Sequence, residues 1–104
     1  MEPRARYDEI ADDLVARNAD VSVAKMLGMP CIKRGCKMVG GFWKESMVFK
    51  LVDPEARKQA LSLEGAALFD PSEQGRPMRE WVAVPAAHAD RWAELAEQAL
   101  TPSG

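Results

Sequence analysis

The sequence predicts an α+β domain: an antiparallel meander of short strands backed by amino- and carboxy-terminal helices. Three observations lead there. Apolar residues near both ends recur at helical spacing, the stretch from Asp20 to Val52 breaks into short runs rich in Val, Met and Phe, and these strands cluster rather than alternate with helices. The chain has 104 residues, with 47% hydrophobic and 29% charged, which suits one soluble domain over residues 1–104 with a single core.

The first helix is read over "PRARYDEIADDLVAR". Tyr7, Ile10, Ala11, Leu14 and Val15 share one face, Pro3 suits the first turn, and Asp8, Glu9, Asp12 and Asp13 fall on the solvated side. The meander follows. Met47, Phe49 and Leu51 alternate with Val48, Lys50 and Val52, so one face is apolar and the other partly so. Arg34-Gly35 is read as the first hairpin turn and Lys44-Glu45 as the second. Gly40-Gly41 inside a strand weakens it, so the pair is expected at a bulge, a bend or a close approach by Phe42 or Trp43. Asp53 caps a helix over "DPEARKQALSL", with Pro54 at its first position. "AALF" is a short strand, "DPSEQGRP" a polar loop, and "MREWVAVP" a strand covered on both faces by Trp81 and Ala83 against Val82 and Val84. "HADRWAELAEQAL" is the last helix, with Trp92, Leu95, Ala96 and Ala99 as its stripe, and Thr101 to Gly104 a frayed tail.

No run of apolar residues approaches the length needed to span a bilayer, and the amino terminus lacks an apolar leader core, so a cytoplasmic protein without membrane contact is expected. The net charge is −2, but it is unevenly spread. Residues 21–50 hold Lys25, Lys33, Arg34, Lys37, Lys44 and Lys50 against Glu45 alone, a basic island in an otherwise acidic chain.

Both cysteines lie in "PCIKRGCKMVGG". With His88 they make three candidate metal ligands, at spacings that match no common zinc pattern, so no metal or other cofactor is expected. A turn at Arg34-Gly35 would pair Lys33 with Cys36 and set Cys31 opposite Met38, leaving the thiols diagonal at roughly 7–8 Å, too far to bridge without strain. A four-residue loop "IKRG" would instead oppose Cys31 and Cys36 directly. In a reducing compartment both are expected free. Cys36, beside Lys37 and near Arg34, is expected to be the more reactive of the two, because nearby cations favour the thiolate.

Lys33, Arg34, Lys37, Lys44 and Lys50 are the candidate contacts to a nucleic acid or a protein. Phosphate backbones would bind them in a salt-dependent way. No helix-turn-helix or RNA-reading signature accompanies the charges, and lysines on edge strands also serve to prevent edge-to-edge association. Catalytic patterns are absent: no nucleophile elbow, no glycine-rich phosphate loop, no histidine pair at metal spacing. Asp70, Glu73 and Glu80 flank the polar loop and read as loop solvation, and His88 as a surface residue. Trp43, Trp81 and Trp92 read as core or core rim.

The run "KMLGMPCIKRGCKMVGGFWKESMVFKL", then "FDPSEQGRPMREWVAVP" and "WAELAEQAL", resembles the TfoX amino-terminal domain family over about Val21 to Leu100. The resemblance rests on Met26-Leu27-Gly28, Gly35, the strand Met47 to Leu51, and Trp81 with Pro85. A fainter likeness to the YjbR family, in "FKL" and the late Trp, implies the same architecture. The resemblance implies a regulatory module, since the family's best-known members regulate competence for DNA uptake. Those regulators carry a second, carboxy-terminal domain, which this sequence lacks after Gly104. The family supplies no catalytic residues to carry over. The sequence therefore points to a non-enzymatic module acting through an unknown protein partner or a homodimer, with nucleic acid as the alternative and a ligand or substrate pocket near residues 70–77 as the third reading.

Overall fold

The computed structural model describes residues 2–26, 28–69 and 80–100. Helix α1 (Pro3–Arg17) leads into strands β1 (Val21–Met26), β2 (Met29–Arg34), β3 (Lys37–Trp43) and β4 (Ser46–Lys50). Helix α2 (Pro54–Leu61), β5 (Ala67–Leu68), β6 (Trp81–Pro85), a 3-10 helix (Ala86–Arg91) and α3 (Trp92–Leu100) complete the chain. The strands form one six-stranded sheet in the order β1-β2-β3-β4-β6-β5, antiparallel at every pairing. β6 thus inserts between β4 and β5, which extends the meander by a strand that returns from beyond it.

The first two expected helix starts are present. Pro3 occupies the first turn of α1, and the Asp53 carboxylate accepts the Glu55 amide at 3.2 Å, with Pro54 opening α2. The last segment differs from the single helix expected. His88, at φ −112° and ψ 27°, leaves helical geometry and kinks the 3-10 segment that precedes α3. Its ring Nε2 hydrogen-bonds the Glu64 carbonyl at 2.8 Å, so this histidine ties the 3-10 segment to the turn ahead of β5.

Strand alternation sends the sheet's two faces to two cores. Met47, Phe49, Val82 and Val84 face the helices and pack with Tyr7, Leu14, Ile32 and Trp92. Val48 and Trp81 face the other way, with Met29 and Phe69, flanked by Met38, Trp43 and Ala83. β6 is covered on both faces, as its sequence implied. An aromatic chain runs through the helix side: Tyr7 on α1 to Phe42 on β3 at 5.5 Å, then Phe42 edge-on to Trp92 at 6.4 Å. The Trp92 indole donates to the Val84 carbonyl at 3.2 Å, so the fully buried ring leaves no unpaired donor.

α1 is laced on its outer face. Arg4 pairs with Asp8 at 3.0 Å, and Arg17 with Asp13 at 2.8 Å and with Glu97 on α3. All are exposed, so each contributes little to stability, but the last one fixes α1 beside α3. Among the described residues no helix is long and apolar enough to cross a membrane.

Candidate functional site

The hairpin β2–β3 is built on the dipeptide Gly35-Cys36, one residue beyond the turn expected from the sequence. Arg34 faces Lys37 and Lys33 faces Met38. Gly35 takes φ 63° at the first central position, while Cys36 keeps a negative φ, the pattern of a type II′ turn that favours Gly there. The reason is non-local: the Gly35 amide donates to the Asp20 carbonyl at 2.8 Å, and Arg34 stays in the β1 ladder opposite Val21. Both registers considered for the thiols therefore fail. Past Lys33 the ladder shifts, with Val39 as the extra residue, so Ile32 faces Gly40 and Cys31 faces Gly41. The glycines do follow a bulge, and the close approach at Gly41 is made by Met29 and Pro30 on β2. A Cβ on Gly41 would lie 2.9 Å from the Pro30 carbonyl oxygen.

Both cysteines are free, Cys31 buried and Cys36 exposed at the turn. Burial pushes the Cys31 thiol up, with Lys33 acting weakly against it. The difference in access makes Cys36 the thiol that reagents can reach. Among the described residues no group of three or more His, Cys, Asp and Glu side chains could hold a metal ion.

The basic island is not one patch. Lys44 sits at the β3–β4 turn, at the other end of β3 from Lys37, roughly 20 Å away by strand rise. Its ammonium lies 5.7 Å from the Trp43 ring centroid. Lys33, Arg34, Lys37 and Lys50 gather at the opposite end of the sheet. The sequence allowed lysines a protective role on edge strands, but β2, β3 and β4 are all interior, so it cannot explain Lys33, Lys37 or Lys50.

Arg34 has a structural task the sequence did not show. Its guanidinium bonds Asp20 at 2.8 Å and donates to the Leu100 carbonyl at 2.8 Å, closing the carboxy-terminal end of α3 onto the hairpin. The Arg34 partner holds the Asp20 carboxyl below its ordinary range. Lys37 and Lys50 form no ion pair among the described residues. They stand with Arg34 around a groove of about 180 Å³ floored by Met38, Val39, Val52, Ala99 and Leu100. Among the described residues no carboxylate lines it. Lys33 flanks it, across the ladder from Met38. The arrangement suits an anionic group carried beside an apolar one: the ammoniums attract the charge, and the floor removes apolar surface from water at about 25 cal/mol per Å².

Asp70 and Glu73, with the 70–77 loop, lie outside the described residues. Glu80 acts through its backbone, whose carbonyl accepts the Leu51 amide at 2.7 Å. Trp81 and Trp92 are buried, and the half-buried Trp43 meets Phe69 edge-on at 6.1 Å. Comparison of the chain with protein-family models, curated proteins and solved structures gave no match.

Proposed function

We propose that this chain is a non-enzymatic interaction module that captures an acidic segment of a partner protein at the cationic end of its sheet. The observation that carries the reading is the groove in which Lys37, Lys50 and Arg34 surround an apolar floor with no carboxylate among the described residues. A peptide alternating Asp or Glu with Leu or Val satisfies both halves of that surface, whereas a phosphodiester backbone satisfies only the charged half. The resemblance to the TfoX amino-terminal domain family supports a regulatory, cytoplasmic role for such a module.

Nucleic acid is the second reading, favoured by the convergence of Lys33, Lys37 and Lys50 at one end without ion pairs among the described residues. One titration separates the two. Fluorescence anisotropy is followed for a labelled Asp/Glu-Leu peptide, duplex DNA and single-stranded DNA, at low and physiological salt. The variants are Lys37→Glu with Lys50→Glu, and Lys44→Glu at the far end as control. Peptide binding that survives physiological salt, is lost in the double variant and persists in the control is the expected result. DNA binding with a steep salt dependence and the same mutational pattern would favour the second reading. Binding by neither ligand, or equal loss in the control, would remove the groove as the site.

A further inference from the structure

We propose that the outer edge of β1 is a docking surface for a second copy of this chain, joined so that the two sheets become one. The two edges of the sheet are unequal. β5 is two residues long, while β1 presents six, Val21 to Met26, in unbroken register with β2 and without Pro, Gly or bulge. Edges of that length normally carry some device against pairing, and β1 has a single lysine.

Its backbone is poised for pairing. The Asp20 carbonyl turns inward to accept Gly35, so alternation turns the amides and carbonyls of Val21, Val23 and Lys25 outward. The Val21 amide is closed by the Asn18 carbonyl at 3.1 Å, leaving Val23, Lys25 and the Val21 carbonyl open among the described residues. A two-fold axis through Val23 sets Val23 against Val23 of the second copy and Val21 against Lys25, closing four backbone hydrogen bonds. Val23 is the most exposed large apolar side chain among the described residues, at 57%, and this register covers it with its own counterpart.

The charge order around the edge argues for a second copy rather than another extended chain. The groove between α1 and β1, about 370 Å³, carries Arg4, Asp8 and Asp12 on the helix and Lys25 on the strand. α1 runs antiparallel to β1, and Arg4 is balanced by Asp8 on the helix, so among the described residues Lys25 marks the basic end of the groove and Asp12 the acidic one. The two-fold exchanges the ends, bringing the basic end of each copy toward the acidic end of its mate. A helix–strand edge so arranged is complementary to itself.

Sedimentation equilibrium from micromolar to submillimolar protein tests this, with wild type and Val23→Pro compared. The outward Val23 amide donates to nothing among the described residues, so proline there removes only the intermolecular bond and is tolerated on an edge. Wild type at twice 11.5 kDa and Val23→Pro at 11.5 kDa, with unchanged circular dichroism, is the expected result. A wild-type monomer throughout, or a Val23→Pro dimer, overturns the proposal. So does a monomer that instead takes up extended peptides at this edge. Should Val23→Pro fail to fold, cross-linking decides. In a Cys36→Ser background, Val23→Cys is expected to form a disulfide-linked dimer on mild oxidation, because a hydrogen-bonded antiparallel pair places its Cα atoms about 5.5 Å apart. Ala24→Cys, directed to the opposite face and off the axis, is expected to form no disulfide link. The reverse pattern, or no linkage in either, overturns it.

Discussion

Replacing Glu45 by Gly should stabilise the protein. Lys44 and Glu45 join β3 to β4, with Trp43 facing Ser46, and they adopt φ of 48° and 65° without being glycine. For an L-residue the left-handed region costs about 1–2 kcal/mol, and glycine escapes that cost at an entropic penalty of about 0.5–1 kcal/mol in the unfolded chain. The net gain for Glu45→Gly is then about 0.5–1 kcal/mol. Lys44→Asn should gain less, because asparagine tolerates the same region but gives up the Lys44 contact with Trp43, worth about 0.5 kcal/mol at an exposed site. Gly35→Ala is the mirror experiment. Its φ is 63° with nothing within 4 Å of an added Cβ, so its cost of about 1 kcal/mol comes from conformation alone. At about 4–8 °C per kcal/mol for a domain of this size, calorimetry should find Glu45→Gly melting about 2–8 °C higher and Gly35→Ala about 4–8 °C lower. A fall in melting temperature for Glu45→Gly would refute the argument that the turn's backbone is strained.

Three further outcomes follow from the same geometry. Gly41→Ala should cost about 2–3 kcal/mol in urea unfolding, since its Cβ meets the Pro30 carbonyl oxygen at 2.9 Å, while Gly40→Ala, with Val48 oxygen at 3.1 Å, should cost less; equal costs would deny the close approach. Alkylation of the native protein should modify Cys36 at once and Cys31 only on unfolding, as mass mapping would show; early modification of Cys31 would contradict its burial. Burial raises the pKa of both the Cys31 thiol and the Tyr7 phenol, so the unfolded chain releases these protons first. Stability should be complete at neutral pH and fall as pH rises past about 8.5 and again past about 10, the unfolded values. Tyr7→Phe should remove the second loss. It should also keep or raise neutral stability, because the buried Tyr7 hydroxyl has no hydrogen-bond partner among the described residues; a stability that stays level to strong alkali would contradict both shifts.

The parts of the fold governed by local rules could be read from the residues. Pro3 and the Asp53-Pro54 pair mark helix starts, and the alternation from Met47 to Val52 gives a strand with two unlike faces. What escaped depends on partners far along the chain. The hairpin turn slid by one residue because Gly35 answers to Asp20, and Arg34 serves a carbonyl 66 positions away at Leu100. A charge count from residues 21–50 could not show that Lys44 and Lys37 end on opposite ends of the sheet, since that follows from strand pairing. Nor could local pattern show that β6 would enter beside β4 and make the lysine-bearing strands interior. The groove at the end of α3 is therefore a product of topology, assembled from residues whose types were legible and whose meeting was not.

The most direct test of the interaction module is a map of backbone amide shifts in ¹⁵N-labelled protein titrated with an Asp/Glu-Leu peptide at physiological salt. The account predicts shifts concentrated at Lys37 to Val39, Lys50 to Val52 and Ala99 to Leu100, and lost when Lys37 and Lys50 are changed to Glu. Shifts centred elsewhere, or none at millimolar peptide, would contradict it.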